Sequence, residues 1–541
     1  MLALKVNDTF LDIDGASINL EINSPLFSFE ITPGDFSYPF NIPPTSKNLI
    51  ALKHIDVLEI ENEIELGTFS AELFLLGNPY LQGELVVLSS NNKSIKVNFN
   101  GATSIFYKGI KNKLLTDYNP NPTNNIPPDS SYQLSYTASD YTLYEVINHE
   151  FKSDLPIYIG SRNYRAEYPN GTTAITSNDT STTPNGGTYS FTVPMVYVFN
   201  YLQFIIEEIG YTLEGVLMDD AEIRTLTFLN NHSLNVEDIS NASPPLYSFQ
   251  SSGNPILNEH VPSVLVSELI TAISKVFCCY VEINETNKVF KFIPLKTLID
   301  STISIDISEK VSDFEVNFDP KNGYILKHSP YSEISEVNYN QDGISGLNLS
   351  QYRNVSEDIP ILELKSGNQD LQIDTGVSIP SSVISYVSFG QNRYLKRAPS
   401  ITEKGFAKNS YDKTKFKDIV FLFYRGMQGG LIQPVGSFNQ FFAYPYASYD
   451  DIDRSGTVIA NYSLLWEGTN GLFEKWWKGW INFLEKNKSV KTKLLWGASD
   501  LLNADLSKKY YCNGSAFFIK KLSIKLTANT INSISAEMLK V

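Results

Sequence analysis

Polar and apolar residues alternate with a period of two along much of the first 117 residues of the chain. The alternation runs through Phe27, Phe29 and Ile31 and again through residues 95–99. Such a pattern predicts strands that place their apolar side chains on one face of a sheet. A polar turn at Asn91 lies between two of these runs and predicts a β-hairpin. Short strands at this spacing predict a small β-barrel or sandwich.

Two segments in the middle of the chain carry apolar residues at helical spacing. Residues 196–209 place them on one face of a helix, and Gly210 stands where a C-terminal cap is expected. Residues 263–277 have the same periodicity and run directly into two strand-like stretches joined around residues 284–287. The sequence therefore predicts a module built from helices and a β-hairpin.

A third helical segment, residues 470–484, is rich in tryptophan. Trp476, Trp480 and Leu484 recur at four-residue intervals, and the helix is apolar over more than half of its circumference. A helix of this kind is either buried in a core or docked on a partner. We expect it in the core of a closing β-module, covered by strands that follow it. The two covering strands are predicted at residues 516–519 and 522–526.

Two irregular tracts separate these patterns. Residues 119–131 contain four prolines, which disfavour strands and helices alike. Residues 168–190 are rich in Thr, Ser, Asn and Gly and predict an exposed, mobile loop. The predicted fold class is mainly β with helical insertions (α+β) and multidomain, with small β-barrel or sandwich modules and a helix-hairpin module. The predicted divisions are an N-terminal β-barrel-like module (1–117), a Pro/Thr/Asn-rich connection with a flexible loop (118–190), a helix plus β-hairpin module (191–310), a β-rich module with long loops (311–462), and a Trp-rich helix with a closing β-module (463–541).

The composition disfavours several classes of protein. A chain of 541 residues is too long for one compact core, and its 42% of hydrophobic residues supply enough apolar surface for several interiors. The formal net charge of −16 disfavours specific binding to nucleic acid or to an anionic membrane. No run approaches the roughly 20 apolar residues that a spanning helix needs, and the first residues do not read as an export signal. Three cysteines provide neither a disulfide framework nor a CxxC metal motif, so we expect folding in a reducing cytosol.

Motifs for the common catalytic sites are missing from the sequence. The chain contains no GxxxxGK[ST] or GxGxxG phosphate loop, no HExxH zinc motif and no GxSxG nucleophile elbow. Its histidines are scattered, and no two of them lie within four positions of each other. The five are His54, His149, His232, His260 and His328.

Two polar positions could support chemistry, but each has a simpler interpretation. His149 precedes Glu150, yet an isolated histidine at a helix end is the commoner case. Asp450, Asp451 and Asp453 could hold a hard cation, although they lack the spaced ligands of a calcium loop, and we expect a solvated turn.

A pair of acidic residues and a pair of cysteines also have structural interpretations. Asp219 and Asp220 precede a short helix, where acidic residues complement the positive helix end. Cys278 and Cys279 lie between a helix and a strand, where buried cysteines act as small hydrophobic residues. Nucleophilic catalysis by Cys278 or by Cys512 would need a histidine and an orienting amide brought in from elsewhere.

Aromatic side chains give the remaining candidate. The groups Tyr444-Pro445-Tyr446 and Trp476-Trp477 could stack on sugars, but the helical spacing of the tryptophans favours a core or an interface. We therefore predict no catalytic, cofactor-binding or metal-ligating residues, no cofactor and no enzymatic activity.

Segments of the sequence resemble tail proteins of phages and prophages from Bacteroidetes-type hosts. Their order is similar to that of the tail hub or baseplate hub proteins of long-tailed phages, in which a barrel-like module precedes a helix-hairpin module and a closing β-module. The segments are ITPGDFSYPFNIPPTSKN (residues 31–48), VPMVYVFNYLQFIIEEIGYTLEG (residues 193–215), LLWEGTNGLFEKWWKGWINFL (residues 464–484) and the ending FFIKKLSIKLTANTINSISAEMLKV.

The resemblance implies a virion structural protein that forms a ring, most commonly a trimer, at the end of the tail tube. Its partners would be copies of itself and other phage tail proteins, and it would join the tube to the spike, the fibres or the baseplate. Such a protein would be made in the host cytoplasm and would end in the tail tip of the virion. A neighbouring position, such as the distal tail ring, fits the same composition.

A function of a different class stays open at this point. A β-rich protein with many aromatic residues could be a glycan-binding or carbohydrate-active surface protein. The missing export signal favours the virion protein, since a host surface protein would need one. A hub with a fused lysozyme or peptidase domain is a third alternative, but no part of the sequence carries a compact set of catalytic residues.

Overall fold

The computed structural model has a mainly β fold with several sheets and a few helices, which confirms the predicted multidomain α+β class. The predicted loop at residues 168–190, most of the proline tract, His149 and His232 lie outside the residues that the structure describes. The described residues are 2–29, 35–55, 67–101, 105–120, 139–144, 146–148, 160–162, 194–229, 236–238, 246–248, 256–284, 287–317, 323–329, 362–364, 370–389, 392–401, 417–433, 441–453 and 455–541.

The first 120 residues form strands and short helices, with 3₁₀ helices at Pro25–Phe27 and Leu115–Asp117. The strands are β1 (Leu2–Val6), β2 (Thr9–Phe10), β3 (Ser17–Asn23), β4 (Asp35–Ser37), β5 (Phe40–Ile42), β6 (Thr68–Leu75), β7 (Asn78–Ser90) and β8 (Ile95–Gly101). The α-helices are α1 (Ser46–Ala51) and α2 (Ile105–Ile110).

The middle of the chain contains the longest α-helices, with 3₁₀ helices at Ile223–Thr225 and Leu257–Glu259. The α-helices are α3 (Val198–Glu208), α4 (Val216–Asp219), α5 (Val266–Val276) and α6 (Leu295–Asp300). The strands are β9 (Tyr141–Thr142), β10 (Val146–Asn148), β11 (Gly160–Arg162), β12 (Met195–Val196), β13 (Thr212–Glu214), β14 (Leu226–Phe228), β15 (Val236–Asp238), β16 (Leu246–Ser248), β17 (Cys279–Asn284) and β18 (Val289–Pro294).

The last part of the chain returns to strands, with a 3₁₀ helix at Ser308–Lys310 and a π-helix at Phe473–Trp477. The α-helices are α7 (Lys478–Lys486) and α8 (Ala498–Leu502). The strands are β19 (Ile305–Asp306), β20 (Val311–Asn317), β21 (Gly323–Lys327), β22 (Leu362–Leu364), β23 (Asp370–Asp374), β24 (Val377–Ser378), β25 (Ser381–Phe389), β26 (Asn392–Ile401), β27 (Ile419–Gln433), β28 (Phe441–Ser448), β29 (Ser489–Leu494), β30 (Lys509–Cys512), β31 (Ser515–Thr527) and β32 (Ile531–Lys540).

Strands from both ends of the chain form one large sheet. Its main strand order is β2-β1-β6-β7-β8-β4-β3-β31-β32-β29-β20. The two ends join where β3 pairs with β31 in antiparallel register, beginning at Ser17 and Thr527. The facing residues Leu20 and Ile524 are both 2% exposed and belong to one core. The division into five modules stays a prediction, but residues 17–23 and 521–527 share a sheet and a core.

A second core surrounds the helices of the middle segment. It gathers α3, α5 and α7 against β14 and β27 of a second sheet, in which the strand order is β11-β10-β26-β27-β14. Two further strands, β24 and β28, pair with β27, and β25 pairs with β26. The predicted helices are confirmed as α3 and α5, and the predicted hairpin is confirmed as β17 and β18.

The hairpin predicted at Asn91 is confirmed as β7 and β8. The Asn91 side-chain oxygen accepts hydrogen bonds from the main-chain nitrogens of Lys93 at 2.8 Å and Ser94 at 3.0 Å. Asparagine is common in such turns because its side chain can bond to the main chain two residues ahead.

Two strand predictions are wrong. Phe27 belongs to a 3₁₀ helix, because Ser24 caps the main-chain nitrogen of Leu26 and Pro25 fits the first helical position. The two strands predicted after Ser515 form one continuous strand, β31, whose pairing with β32 shifts register between Ile519 and Lys521. This irregularity interrupts the alternation without ending the strand.

Candidate assembly surface

The three cysteine thiols are poorly suited to nucleophilic catalysis. All three are free and buried. Burial raises the pKa of Cys278 and Cys279 well above the usual value, and raises the pKa of Cys512 to about 11. Because the thiolate is the reactive form, these groups are largely unreactive near neutral pH. The predicted role of Cys278 and Cys279 as core residues is confirmed by their full burial.

The acidic candidates serve local structure. Asp220 precedes the 3₁₀ helix Ile223–Thr225 as predicted, and its Oδ1 accepts from the main-chain nitrogen of Ile223 at 3.1 Å. The prediction is wrong for Asp219, which is the last residue of α4. Asp453 closes an exposed turn by accepting from the main-chain nitrogen of Ser455 at 2.7 Å. Asp450 is only 4% exposed, so the predicted solvated turn is wrong for this residue.

The described residues contain no group of three or more His, Cys, Asp or Glu side chains that could hold a metal ion. Two of the aromatic candidates for sugar stacking, Tyr446 and Trp477, are buried. Tyr446 is 1% exposed and donates to the main-chain oxygen of Ile452 at 3.0 Å, and Trp477 is fully buried. Their rings are therefore covered by protein, as the predicted core interpretation requires.

Trp477 and Trp480 are both buried, as predicted. Their partners, however, come mostly from distant segments. The Trp477 ring packs on Phe29 with the ring centres 5.2 Å apart, and the Trp480 ring packs on Phe27 at 5.4 Å. The predicted cover by the strands after Ser515 is found only in part: Phe518 of β31 packs on Phe483 of the same helix with the ring centres 5.7 Å apart, and both belong to the core that the helix shares with α5.

The four-residue spacing of the tryptophans also predicts the wrong member of the pair Trp476 and Trp477 as the fully buried ring. The segment begins as a π-helix, which fits an extra residue into its turn. As a result Trp477 is the fully buried ring, while Trp476 is half-buried and stacks on Tyr462 with the ring centres 5.6 Å apart. In a regular α-helix the four-residue repeat would put Trp476 and Trp480 on the buried face and Trp477 on a different face.

A buried ion pair joins three segments of the second core. The Arg425 side chain is 3% exposed, and its Nη1 lies 2.7 Å from Glu222 Oε1. Its Nη2 donates to the main-chain oxygens of Asp450 at 2.7 Å and Tyr462 at 2.6 Å. Burial lowers the pKa of Arg425, and the Glu222 carboxylate opposes that shift. The pair is thus a structural junction between β27, the 3₁₀ helix after Asp220 and the loop beyond β28.

His328 is a second buried polar junction. Its Nε2 donates to the main-chain oxygen of Leu464 at 2.7 Å, which leaves Nδ1 to accept from the Thr375 hydroxyl at 3.0 Å. Its ring stacks on Trp466 with the ring centres 5.4 Å apart. Burial lowers the pKa of His328 to about 4. The imidazole is therefore neutral near pH 7 and acts as a connector between loops.

The edge strand β20 exposes apolar side chains on the large sheet. Among the described strands it pairs only with β29, with a register shift between Ser312 and Glu315. Val316 lies opposite the buried Val490 but is itself 41% exposed. Phe314 is 36% exposed and packs against the buried Phe517 with the ring centres 5.8 Å apart. The apolar face of the core therefore continues onto a strand that is only partly covered.

Further exposed apolar side chains lie on elements that are connected to this strand. β19 precedes β20 along the chain and pairs with β30, and the main-chain nitrogen of Leu495 donates to the Lys310 oxygen at 2.8 Å, which brings the end of β29 to the start of β20. We call this region the edge surface. Its exposed apolar residues are Ile303, Ile305, Phe314, Val316, Leu495, Tyr511 and Val541.

The sequence does not reveal the edge surface. The stretch VSDFEVN of β20 mixes apolar and acidic residues like many strands, and no local pattern shows that a strand has only one neighbour. The edge follows from the pairing of β20 with β29, which lies more than 170 residues later in the chain.

The cavities among the described residues include a groove and a cleft. A groove of about 610 Å³ begins at Asn317, the last residue of β20, and has Phe27, Tyr324, Leu371 and Trp480 among its lining side chains. A cleft of about 540 Å³ lies between α5 and the loops near residues 329 and 376, and its walls carry both acidic and basic side chains.

Within the described part of the chain, no helix has both the length and the apolar character needed to cross a membrane.

No protein-family model matches the sequence, and no curated protein matches it. Among solved structures, the chain is similar to the 43 kDa tail protein of prophage MuSo2 from Shewanella oneidensis, with 6% identity, 100% of this chain and 98% of that chain covered, and a TM-score of 0.33. It is also similar to a tail protein from Neisseria meningitidis MC58, with 8% identity, 100% and 96% covered, and a TM-score of 0.32. Scores this low assign neither fold nor function, so the function has to be argued from the chain's own residues.

Proposed function

We propose that the chain is a non-enzymatic structural protein of a phage tail tip, a hub or ring that joins the tail tube to the spike, the fibres or the baseplate. The observation that carries this proposal is the edge surface. Exposed apolar side chains grouped on several elements favour contact with another chain, because burying them there removes apolar surface from water. A ring subunit needs surfaces of this kind because each copy must bind its neighbours.

The resemblance of the sequence to phage tail proteins indicates the kind of assembly to which the chain would belong. The segments at residues 31–48, 193–215 and 464–484 resemble tail proteins of phages from Bacteroidetes-type hosts. The proposed partners are therefore copies of the chain in a ring, with a trimer as the expected number, and other tail proteins. The proposed location is the tail tip of the virion, after synthesis in the host cytoplasm.

The chemistry of the described candidates supports a structural role. The cysteine thiols have raised pKa values, Asp220 accepts a hydrogen bond from the main chain of Ile223, and the Arg425–Glu222 pair holds segments together. Each of these groups is engaged in packing or in internal hydrogen bonds, and none of them faces a cavity with a second reactive group at hand.

Deletion of the gene from the phage or prophage tests the proposal. We expect induced cells to produce filled heads that lack complete tails, and we expect the gene supplied in trans to restore infectious particles. Normal tails in the deletion strain would contradict the proposal. Normal tails together with binding of the purified chain to a glycan array would favour the surface glycan-binding alternative.

A further inference from the structure

We propose that neighbouring copies of this chain join head to tail, with an exposed apolar segment of one copy bound in the apolar groove of the next. This inference rests on the proposed ring function and names the contact that would build the ring. The segment is residues 299–309, which we call the projecting segment, and the groove is the one of about 610 Å³ that begins at Asn317. A head-to-tail ring requires two different surfaces of this kind on each copy.

The projecting segment exposes two isoleucine side chains to water. Ile303 is 79% exposed, more than any other large apolar side chain among the described residues, and Ile305 is 38% exposed. Ile305 begins β19, and Ile303 lies two residues before it, the spacing at which an extended chain places side chains on one face. Binding of both side chains by a partner would remove their apolar surface from water.

The main chain of the projecting segment is held in place by neighbouring elements. β19 pairs in parallel with β30. Before this strand, Lys509 Nζ donates to the main-chain oxygens of Ile299 at 2.6 Å and Ser301 at 2.7 Å. No residue of the projecting segment lines the groove of its own copy. Ile303 therefore extends from a fixed support toward the surroundings of the molecule, where a second copy can reach it.

The groove offers an apolar lining for such side chains. Phe27 and Trp480 line it, and their rings pack on each other with the ring centres 5.4 Å apart. Leu484 is partly buried, and Leu371 of β23 is 47% exposed. The volume of about 610 Å³ lies within the range of roughly 300 to 1,000 Å³ that is typical of ligand pockets. The groove therefore has both the space and the apolar surface to receive two isoleucine side chains.

Two lysines of the groove have no acidic partner among the described side chains. The basic residues that line it are Lys486, Lys488 and Lys520, and Glu537 is the one acidic residue among the described lining residues. Lys520 Nζ lies 2.8 Å from Glu537 Oε1, so these two charges offset each other. Lys486 and Lys488 are exposed and keep their charge. In a chain with a formal net charge of −16, this local positive charge favours an acidic partner.

The projecting segment carries the opposite charge. It contains Asp300, Asp306 and Glu309 and no basic residue, and none of the three forms an ion pair with another described side chain. The buried Lys509 offsets part of the Asp300 charge. Asp306 Oδ1 accepts from the main-chain nitrogen of Ser308 at 2.9 Å, a bond that leaves its negative charge in place. Isoleucines flanked by carboxylates thus match an apolar groove flanked by lysines, which favours this segment as the occupant.

The same chemistry disfavours contacts between like surfaces. Two projecting segments brought together would place carboxylates near carboxylates, and two grooves brought together would place lysines near lysines. Because like charges repel, the contact joins unlike surfaces of two copies.

A complementation experiment in the full-length chain tests the contact. Ile303→Ser removes the most exposed side chain of the segment, and the double change Lys486→Glu and Lys488→Glu reverses the charge of the groove. Analytical ultracentrifugation should show that each variant associates about tenfold or more weakly than the wild type. A mixture of the two variants should form a one-to-one dimer, because the intact groove of the first still binds the intact segment of the second.

Matched changes at other exposed positions provide the controls. Ile50→Ser removes a side chain that is 63% exposed on α1, and the double change Lys93→Glu and Lys96→Glu reverses two exposed charges at the β7–β8 hairpin. Both controls should associate like the wild type. All of the changed side chains are exposed, so circular dichroism should give the wild-type spectrum for every variant.

Four results would overturn the proposed contact. They are a wild-type chain that stays monomeric at about 100 µM, a wild-type chain that forms dimers and nothing larger, segment or groove variants that associate like the wild type, and a mixture of the two variants that stays monomeric. A protein that is required for tails but gives any of these results would refute the contact and leave the structural function standing.

Discussion

The indole nitrogen of Trp477 donates a 3.0 Å hydrogen bond to the main-chain oxygen of Lys275, which lies 202 positions earlier in the chain. Lys275 is in the last turn of α5, where main-chain oxygens have no partner within the helix. The Trp477 side chain therefore gives a hydrogen-bond donor to a main-chain oxygen at the end of α5, and its ring fills the core between α5 and the segment that precedes α7. Such a bond links parts of the chain that the sequence assigns to separate modules.

Replacing Trp477 by alanine should lower the free energy of unfolding by about 3 to 5 kcal/mol, because a fully buried ring leaves a cavity. Trp477→Phe keeps an apolar ring but removes the donor, and it should cost less, about 1 to 3 kcal/mol. Urea unfolding followed by circular dichroism measures both. An alanine variant as stable as the wild type would refute the anchoring role.

Loss of the ion-pair partner of the buried Arg425 should lower stability more than loss of a surface pair. Glu222→Gln removes the carboxylate at 2.7 Å from a side chain that is 3% exposed, and we expect a cost of about 3 to 5 kcal/mol. Lys478→Ala breaks the exposed pair with Glu474 and should change stability by less than about 1 kcal/mol. Thermal melts of both variants give the comparison, and equal shifts would count against a buried junction.

Stability should fall on acidification through His328. The unfolded histidine takes up a proton near pH 6.5, whereas the folded one does so only near pH 4. Between these values the unfolded state binds more protons, so stability is complete above pH 6.5 and is lost toward pH 4, by about 3 kcal/mol at most. Urea unfolding at several pH values measures this loss in the wild type and in His328→Gln.

The glutamine variant should lose a smaller part of its stability over this pH range, because it has no imidazole to protonate. His54→Gln changes an exposed histidine and should keep the wild-type pH dependence. A His328→Gln chain with the same pH dependence as the wild type would show that this histidine does not control acid stability.

The purified chain should not hydrolyse peptidoglycan or model polysaccharides. The expectation follows from the sequence, which lacks the common catalytic motifs, and from the packing of the described candidate residues. Release of reducing sugars or soluble peptidoglycan fragments is the measurement. Turnover that disappears after substitution of a single carboxylate would contradict the non-enzymatic assignment.

Local patterns were enough to predict the elements but not their partners. The apolar periodicity of α3 and α5 and the turn at Asn91 predict these elements correctly, because the information lies within a few neighbouring residues. The alternation at Phe27 fails because Ser24 and Pro25 favour a 3₁₀ turn over a strand. The same limit applies to the π-helix, which alters the faces of the tryptophan segment without changing its composition.

The edge surface could not be predicted from the sequence pattern of any single segment. An edge strand is defined by the neighbour that it lacks, and β20 meets its single described neighbour through pairs such as Val316 and Val490, far apart in the chain. The pairing of β3 with β31 cannot be predicted from the sequence either, since apolar and polar residues alternate in both strands as they do in other strands of the chain. The hydrogen bond from Ile223 to Asp220 could be expected from the sequence because it joins residues only three positions apart.

Quantitative mass spectrometry of purified phage particles, with immunogold labelling of the same particles, tests the central claim most directly. The structural role predicts that the chain is present at a constant copy number per particle and that the label lies at the tip of the tail. Absence of the chain from particles that are complete and infectious would contradict the claim.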